Sequence, residues 1–182
     1  MKKVLLSSVL ALGLITSLNA YELNGDLKVK WTGFKTEKKA PVSGSFKDIQ
    51  LNISKSDDLS KFLKSAKVQI TTASFDSKNP FRDNNITSTL FSLATSKYIK
   101  GSISSVDTAK NELILDVTMN EVTKQVPMKY KVEKGNITAM GSIDILDYDM
   151  KNPYMTFAKK CASFHQNKSF SDVNIEFTIP YK

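Results

Sequence analysis

The chain has a single cysteine and a single histidine in 182 residues. One cysteine excludes an internal disulfide framework and any cysteine-rich zinc module. One histidine excludes a cage of several imidazoles around a metal and would rest any His-based catalysis on one ring. Glycine and proline are sparse, at seven and five residues, which excludes a low-complexity linker protein. The sequence contains no glycine-rich phosphate loop, no Gly-x-Ser-x-Gly elbow and no His-Glu-x-x-His pattern. The common signatures of phosphate, ester and metallopeptidase chemistry are therefore missing. After the first twenty residues no second long apolar run occurs, so nothing beyond them signals a membrane-spanning helix. What is left is ordinary globular composition, 41% apolar and 24% charged, on a length suited to one domain.

The first twenty residues read as a leader. Met1-Lys2-Lys3 is a short basic start, Val4 to Leu18 is apolar with small and hydroxylated interruptions, and Leu18-Asn19-Ala20 ends on a small residue. That is the pattern of a secretory signal peptide over residues 1–20, cleaved after Ala20. The apolar stretch is too short to anchor comfortably in a bilayer and no basic stop-transfer cluster follows it. The expectation is an exported, periplasmic product running from Tyr21 to Lys182 as a single domain. Such a chain is long enough to bury a real core without staples. In an oxidising compartment its one cysteine would stay free, pair between chains or bind metal.

The formal net charge is +8, carried mainly by single lysines scattered along the chain. Solvated strand faces explain that distribution better than a nucleic-acid patch, and export argues against nucleic acid as a partner. Transient contact with an anionic membrane surface remains compatible with it.

The dominant period is two. Leu113, Leu115, Val117 and Met119 alternate with Ile114, Asp116 and Thr118. Val126, Met128, Tyr130 and Val132 alternate with Pro127, Lys129 and Lys131. Ile137, Ala139, Gly141, Ile143 and Ile145 form one row, and Val173, Ile175, Phe177 and Ile179 another. Each run reads as a strand with one apolar and one polar face. With Leu27 to Lys35, Val42 to Ser54, Val68 to Thr72 and Tyr98 to Ser105, about eight strands are predicted. Asp107 to Glu112 and Lys134-Gly135-Asn136 read as hairpin turns. Three segments break the pattern. Asp57 to Leu63 reads as a short helix, Asn79 to Ser92 as a loop and then a helix, and Asn152 to His165 as a helix with Pro153 near its start. Eight antiparallel strands form a sandwich or a barrel, and an eight-stranded barrel has room for one small ligand.

Three motifs carry a resemblance. Ala73 to Ile86, with Arg82-Asp83 followed by Leu90-Phe91, resembles the signature of the YceI-like family, a strand followed by Arg-Asp-x-His-Leu and a Phe-containing turn. Asn120-Glu121-Val122-Thr123-Lys124 is similar to that family's Gly-Val-Thr-Lys hairpin, with Glu where the family has Gly. Val42-Ser43-Gly44-Ser45-Phe46 is similar to its Val-x-Gly-x-Phe strand. The resemblance implies an all-β, eight-stranded antiparallel lipocalin-like barrel with short helical segments in its loops. It implies a binding protein and not an enzyme, carrying or sequestering a long-chain amphiphile such as a polyisoprenoid or fatty-acid derivative in an apolar tunnel. No cofactor is required beyond a bound lipid. This chain departs from the family in having Asn85 where the Arg-Asp-x-His pattern has His, and in lacking a His-Ser pair in its first strand.

Candidate ligand-contacting residues follow. Trp31, Phe46, Val68 and Ile70 belong to the early strands, and Leu115, Val117 and Met128 to the later ones; Phe91 joins them from the helical segment. Arg82 and Asn85 are candidates for holding a polar head at the mouth, with an internal Arg82–Asp83 ion pair as the plainer reading of Arg82. Asn85-Ile86-Thr87 also forms an Asn-x-Thr acceptor pattern. Cys161 and His165, four apart on a predicted helix, share a face and have the donor types for zinc or copper. Two ligands do not make a site, and Met155, Asp172 or a second chain would have to complete it. This alternative, a metal- or redox-linked accessory protein, leaves the oligomeric state open, a dimer included.

Overall fold

Alternation of apolar and polar side chains becomes a curled sheet because each strand hides one face. The computed structural model describes residues 20–182. The leader expected over residues 1–20 therefore lies, but for Ala20, outside the described residues. Ten strands form one antiparallel sheet: β1 (Lys28–Lys35), β2 (Ala40–Phe46), β3 (Ile49–Asn52), β4 (Lys67–Thr71), β5 (Phe75–Asp76), β6 (Tyr98–Asp107), β7 (Glu112–Met119), β8 (Val122–Glu133), β9 (Asn136–Asp144) and β10 (Ser169–Pro180). Three short α-helices interrupt it: α1 (Leu59–Lys64), α2 (Pro80–Ile86) and α3 (Lys151–Cys161). No helix among the described residues is long and apolar enough to cross a membrane.

The pairing order is β3-β4-β6-β7-β8-β9-β10-β1-β2-β5, and the sheet curls into a lipocalin-like half-barrel. Its two ends meet at one corner. β2 runs into β3 through Lys47-Asp48, and β4 runs into β5 through a 3-10 turn at Thr72–Ser74. Ser45 pairs with Asp76 on one side of that corner and Ile49 with Ile70 on the other. Across it, Lys47 N donates to Ser74 O at 2.9 Å and Thr71 N to Asp48 O at 3.1 Å. The strand count is thus ten and not eight. The run expected over Val42 to Ser54 breaks at Lys47-Asp48, and the run at Val68 gains the two-residue β5 after a turn. A fully curled sheet needs such corners because a straight strand cannot follow the wall round.

The two ends of the half-barrel are closed differently. One is plugged by α1, whose start is capped by the Asp58 carboxylate accepting from Lys61 N at 2.7 Å. Its Phe62 and Leu63 are wholly buried, packed with Leu113, Met128, Tyr130 and Ile137 from β7, β8 and β9. Tyr21 stacks on Phe62, with ring centroids 5.8 Å apart. The other end is covered by α2, a π-helical turn at Thr87–Phe91, and α3. The α2 start is capped by the Asn79 side chain, which accepts from Arg82 N at 3.0 Å, and Pro80 opens the helix. The predicted loop at the head of this segment is accordingly a helix from Pro80 onward. In α3 the buried residues Pro153 and Cys161, with Phe157 half-buried between them, recur every fourth position and form the helix's inward face.

The β7–β8 turn bears on the family resemblance. Asn120 and Glu121 both have left-handed backbones, with φ of 51° and 66°. Glycine adopts this region freely, whereas a side chain there is strained by roughly 1–2 kcal/mol. Asn120 is compensated: its Oδ1 accepts from Thr95 N at 2.6 Å and its Nδ2 donates to Tyr148 O at 3.0 Å. Glu121 has no such contacts among the described residues. Glu121→Gly is expected to stabilise the fold by about 1 kcal/mol, read as a raised denaturant midpoint. An unchanged or lowered midpoint would show that the turn is not strained.

Candidate functional site

The inward rows of the strands do not fill the space they enclose. A cavity of about 250 Å3 lies inside the curl, with walls almost entirely of apolar side chains. Its origin is visible residue by residue. Gly33 on β1 and Gly101 on β6 occupy inward positions and border the cavity. A Cβ at Gly33 would meet nothing nearer than Trp31 at 4.0 Å, and one at Gly101 nothing nearer than Leu115 at 3.7 Å. The same rows hold two other glycines whose space is taken. A Cβ at Gly44 would fall 2.6 Å from the Trp31 ring and 2.5 Å from Asp76 O, and one at Gly141 would fall 2.9 Å from Met128 Cγ. Glycine thus hollows the wall at two positions and lets large side chains lie flat at two more.

Most of the side chains expected to meet a ligand border this cavity: Trp31, Phe46, Val68 and Ile70 on the early strands, Leu115 and Val117 on β7, and Phe91 and Arg82 from the covering segments. Trp31 stacks on Phe75 with centroids 4.5 Å apart, and Phe46 and Phe91 pack on Phe75 in turn. Two expected residues stand elsewhere. Met128 is 2% exposed in the packed end of the core, folded over Gly141. Asn85 is 4% exposed inside α2 and does not border the cavity. The Asn-x-Thr pattern therefore sits on a largely buried asparagine.

The plain reading of Arg82 is corrected. It forms no ion pair with Asp83. That carboxylate instead accepts from Ser77 N at 2.8 Å and from the Ser77 hydroxyl, tying α2 to the chain after β5. Arg82 lies within α2 rather than ahead of it, half-buried, and borders the cavity.

Cys161 and His165 also border the cavity, but not from one continuous helix. α3 ends at Cys161, and His165 ends the tighter 3-10 turn that follows. Burial pushes the Cys161 thiol up, outweighing the opposing pull of Lys160 and Lys35. Burial, then the charges of Lys35 and Arg82, hold His165 below the ordinary imidazole range. Its Nδ1 shares a 2.7 Å hydrogen bond with the Ser169 hydroxyl, and its ring meets Phe157 edge-on at 5.7 Å. No group of three or more His, Cys, Asp or Glu side chains able to hold a metal occurs among the described residues.

Sequence reasoning missed Phe34, Lys35, Phe157 and Phe170, which surround this end of the cavity. Lys35 had a readable signal. It continues the inward row Leu27, Val29, Trp31, Gly33, and a charge at the end of an apolar row marks a rim. A register shift in the β1–β10 pairing between Gly33 and Lys35 re-aims the strand there, as bulges at barrel rims do. Outside the same rim, Phe81 and Phe164 are 59% and 54% exposed and meet edge-on at 5.4 Å. Each immediately precedes a cavity residue, Arg82 or His165.

The linkage at His165 has a definite sign. Because the folded ring holds its proton less tightly than the unfolded one, the unfolded chain takes up more protons on acidification. The stability contributed by the neutral ring is complete above the unfolded value and is lost as pH falls through the folded one. Between about pH 7.5 and 5.5, the wild type is expected to lose more stability than His165→Gln. Parallel denaturation curves for the two proteins across that range would overturn the assignment.

A family model described as YceI-like domain matches residues 15–180 of the chain. Solved structures show the same fold. BcnA of Burkholderia cenocepacia superposes with a TM-score of 0.62 at 18% identity, over 87% of this chain and 98% of that one. A polyisoprenoid-binding domain from Saccharophagus degradans, implicated in plant cell wall breakdown, gives 0.57 at 15% identity, over 90% and 97%. The YceI protein of Campylobacter jejuni gives 0.59 at 18% identity, over 79% and 86%. No curated protein sequence matches the chain significantly.

Proposed function

Since the chain belongs to the YceI-like family, we propose that it is a carrier or sequestering protein for one long-chain amphiphile, working in the periplasm after removal of its leader. The observation that carries this reading is the apolar cavity held open by Gly33 and Gly101. The polyisoprenoid-binding domain of like fold supports it. The binding chemistry is burial. At ~30 Å3 each, close to the liquid volume of a water, a cavity of about 250 Å3 takes roughly eight tail carbons before any side chain moves. Each buried methylene contributes about 0.8 kcal/mol, so the tail supplies on the order of 6 kcal/mol before immobilisation is subtracted. Aromatic and aliphatic side chains make up most of the wall and suit a tail.

The exposed Phe81–Phe164 pair, with Lys159 and Lys160 in the last turn of α3, gives the covered end the character of a membrane-seeking rim. Loading would occur there, at an anionic lipid surface.

Solvent extraction of the purified protein followed by mass spectrometry is expected to release one long-chain compound per chain. After delipidation, dodecanol should quench or shift the fluorescence of Trp31, the sole tryptophan. Gly101→Leu, whose side chain would enter the cavity, should weaken that binding about tenfold or more while leaving the melting temperature close to wild type. No extracted lipid together with no dodecanol binding would overturn the carrier reading. For loading, transfer of a fluorescent lipid from anionic vesicles should outpace transfer from zwitterionic ones. Equal rates would remove the membrane contact.

A further inference from the structure

The cavity's polar end carries more positive charge than the fold itself uses. Lys35 closes β1, Arg82 sits in the first turn of α2, and His165 ends the turn after α3; all three border the same apolar space. Among the described residues neither the Lys35 ammonium nor the Arg82 guanidinium makes an ion pair. Carboxylates on the surrounding elements are already engaged. Asp83 holds Ser77, Asp76 pairs with Lys78 at 2.7 Å, Asp172 with Lys39 at 3.4 Å, and Asp144 accepts from Leu146 N and the Ser171 hydroxyl. The carboxylate that borders the cavity, Glu176, belongs to the outward row of β10, opposite Lys30. Two half-buried cations border an oily cavity without a counter-ion, and an anionic head would supply one.

Resting on the carrier reading, we propose that Lys35, Arg82 and His165 form an oxyanion seat, so that the amphiphile carried has a carboxylate or phosphate-monoester head held there and a tail running inward past Gly33 toward Gly101. The guanidinium fork matches either head in a two-bond geometry and the ammonium adds a second charge. His165 has its Nδ1 occupied by Ser169, which leaves Nε2 for the head. Burial and the two cations disfavour its proton in the empty site, and an anion would restore it. The groups facing this ring are Lys35 from β1, Arg82 from α2, Cys161 and Phe157 from α3 and Ser169 from β10. Phe81 and Phe164, next in sequence to Arg82 and His165, stand exposed outside the cavity lining, so the head would lie near the rim proposed for loading.

The test compares three probes of equal tail length on the delipidated protein: dodecanoic acid, dodecyl phosphate and dodecanol, titrated near neutral pH with Trp31 fluorescence as readout. At least one anionic probe is expected to bind about tenfold tighter than dodecanol, and the better of the two identifies the head. Arg82→Gln and, independently, Lys35→Gln should each reduce anion affinity about tenfold and leave dodecanol unchanged. His165 is the only imidazole, so its ring resonances need no assignment; its titration midpoint should rise with the anionic ligand bound and stay put with dodecanol. If all three probes bind alike to the wild type, the oxyanion seat is wrong while the carrier reading stands. If none binds, both fall. Equal weakening of dodecanol and anion binding in both variants would show a structural role for the cations and also overturn the seat.

Discussion

The rest of this structure depends on unfilled volume in an inward-facing apolar row. Protein interiors pack at about the density of organic crystals, and opening a dry void costs about 24 cal/mol per Å3 on the scale of core truncations. On that scale a 250 Å3 space is worth on the order of 6 kcal/mol, comparable with the whole net stability of a small domain. The chain nevertheless places glycine, and not a space-filling Leu or Val, at Gly33 and Gly101. Where glycine appears for packing, at Gly44 and Gly141, a ring or a methionine lies directly over it. The contrast between the two pairs separates a hollow from a close approach. It also explains why a single curled sheet can have a solid half and an open half.

That asymmetry follows from what closes each end. α1 is amphipathic in the simplest sense, with Phe62 and Leu63 driven into the core and an Asp58 cap fixing where it starts. It acts as a stopper. The opposite cover is built from short pieces, α2, a π-helical turn and α3, joined through contacts between side chains rather than by a sheet ladder. Covers of this kind lie at the lower end of local stability. With the 3-10 turn after α3, they also carry the polar groups Arg82, Cys161 and His165 that border the cavity. Lys35, Arg82, His165 and the exposed Phe81 and Phe164 thus fall at one end, and the plug at the other.

Charge is sorted with equal economy. Most lysines decorate the outward row or pair at the surface, where each exposed pair contributes little. Asp83 shows how a motif can mislead: beside an arginine it suggests an ion pair, yet its carboxylate closes a loop through Ser77, and the arginine is released toward the cavity. Tyr148 makes the complementary point. Its hydroxyl is buried without a partner, and burial first, then Asp147, pushes it up to about 12. It is therefore a neutral core ring.

By itself the sequence determined the periods, the turns and the caps. Rows such as Leu113, Leu115, Val117 and Met119 face inward because a pleated strand permits only two faces, and Asp58 and Asn79 start helices because their side chains satisfy free backbone amides locally. The family motifs added the curl. Tertiary structure alone decided depth along the barrel. Met128 and Val117 both point inward, yet one is packed and the other borders the cavity, since parity says nothing about distance from the α1 plug. Asn85 turned inward because helical phase, beginning at Pro80, sets its direction. Lys35, Arg82 and His165 lie on three elements far apart in the chain, and only the folding of those elements onto one rim brings all three to the same cavity. Local pattern dictates which face a residue takes; long-range closure dictates what it meets there.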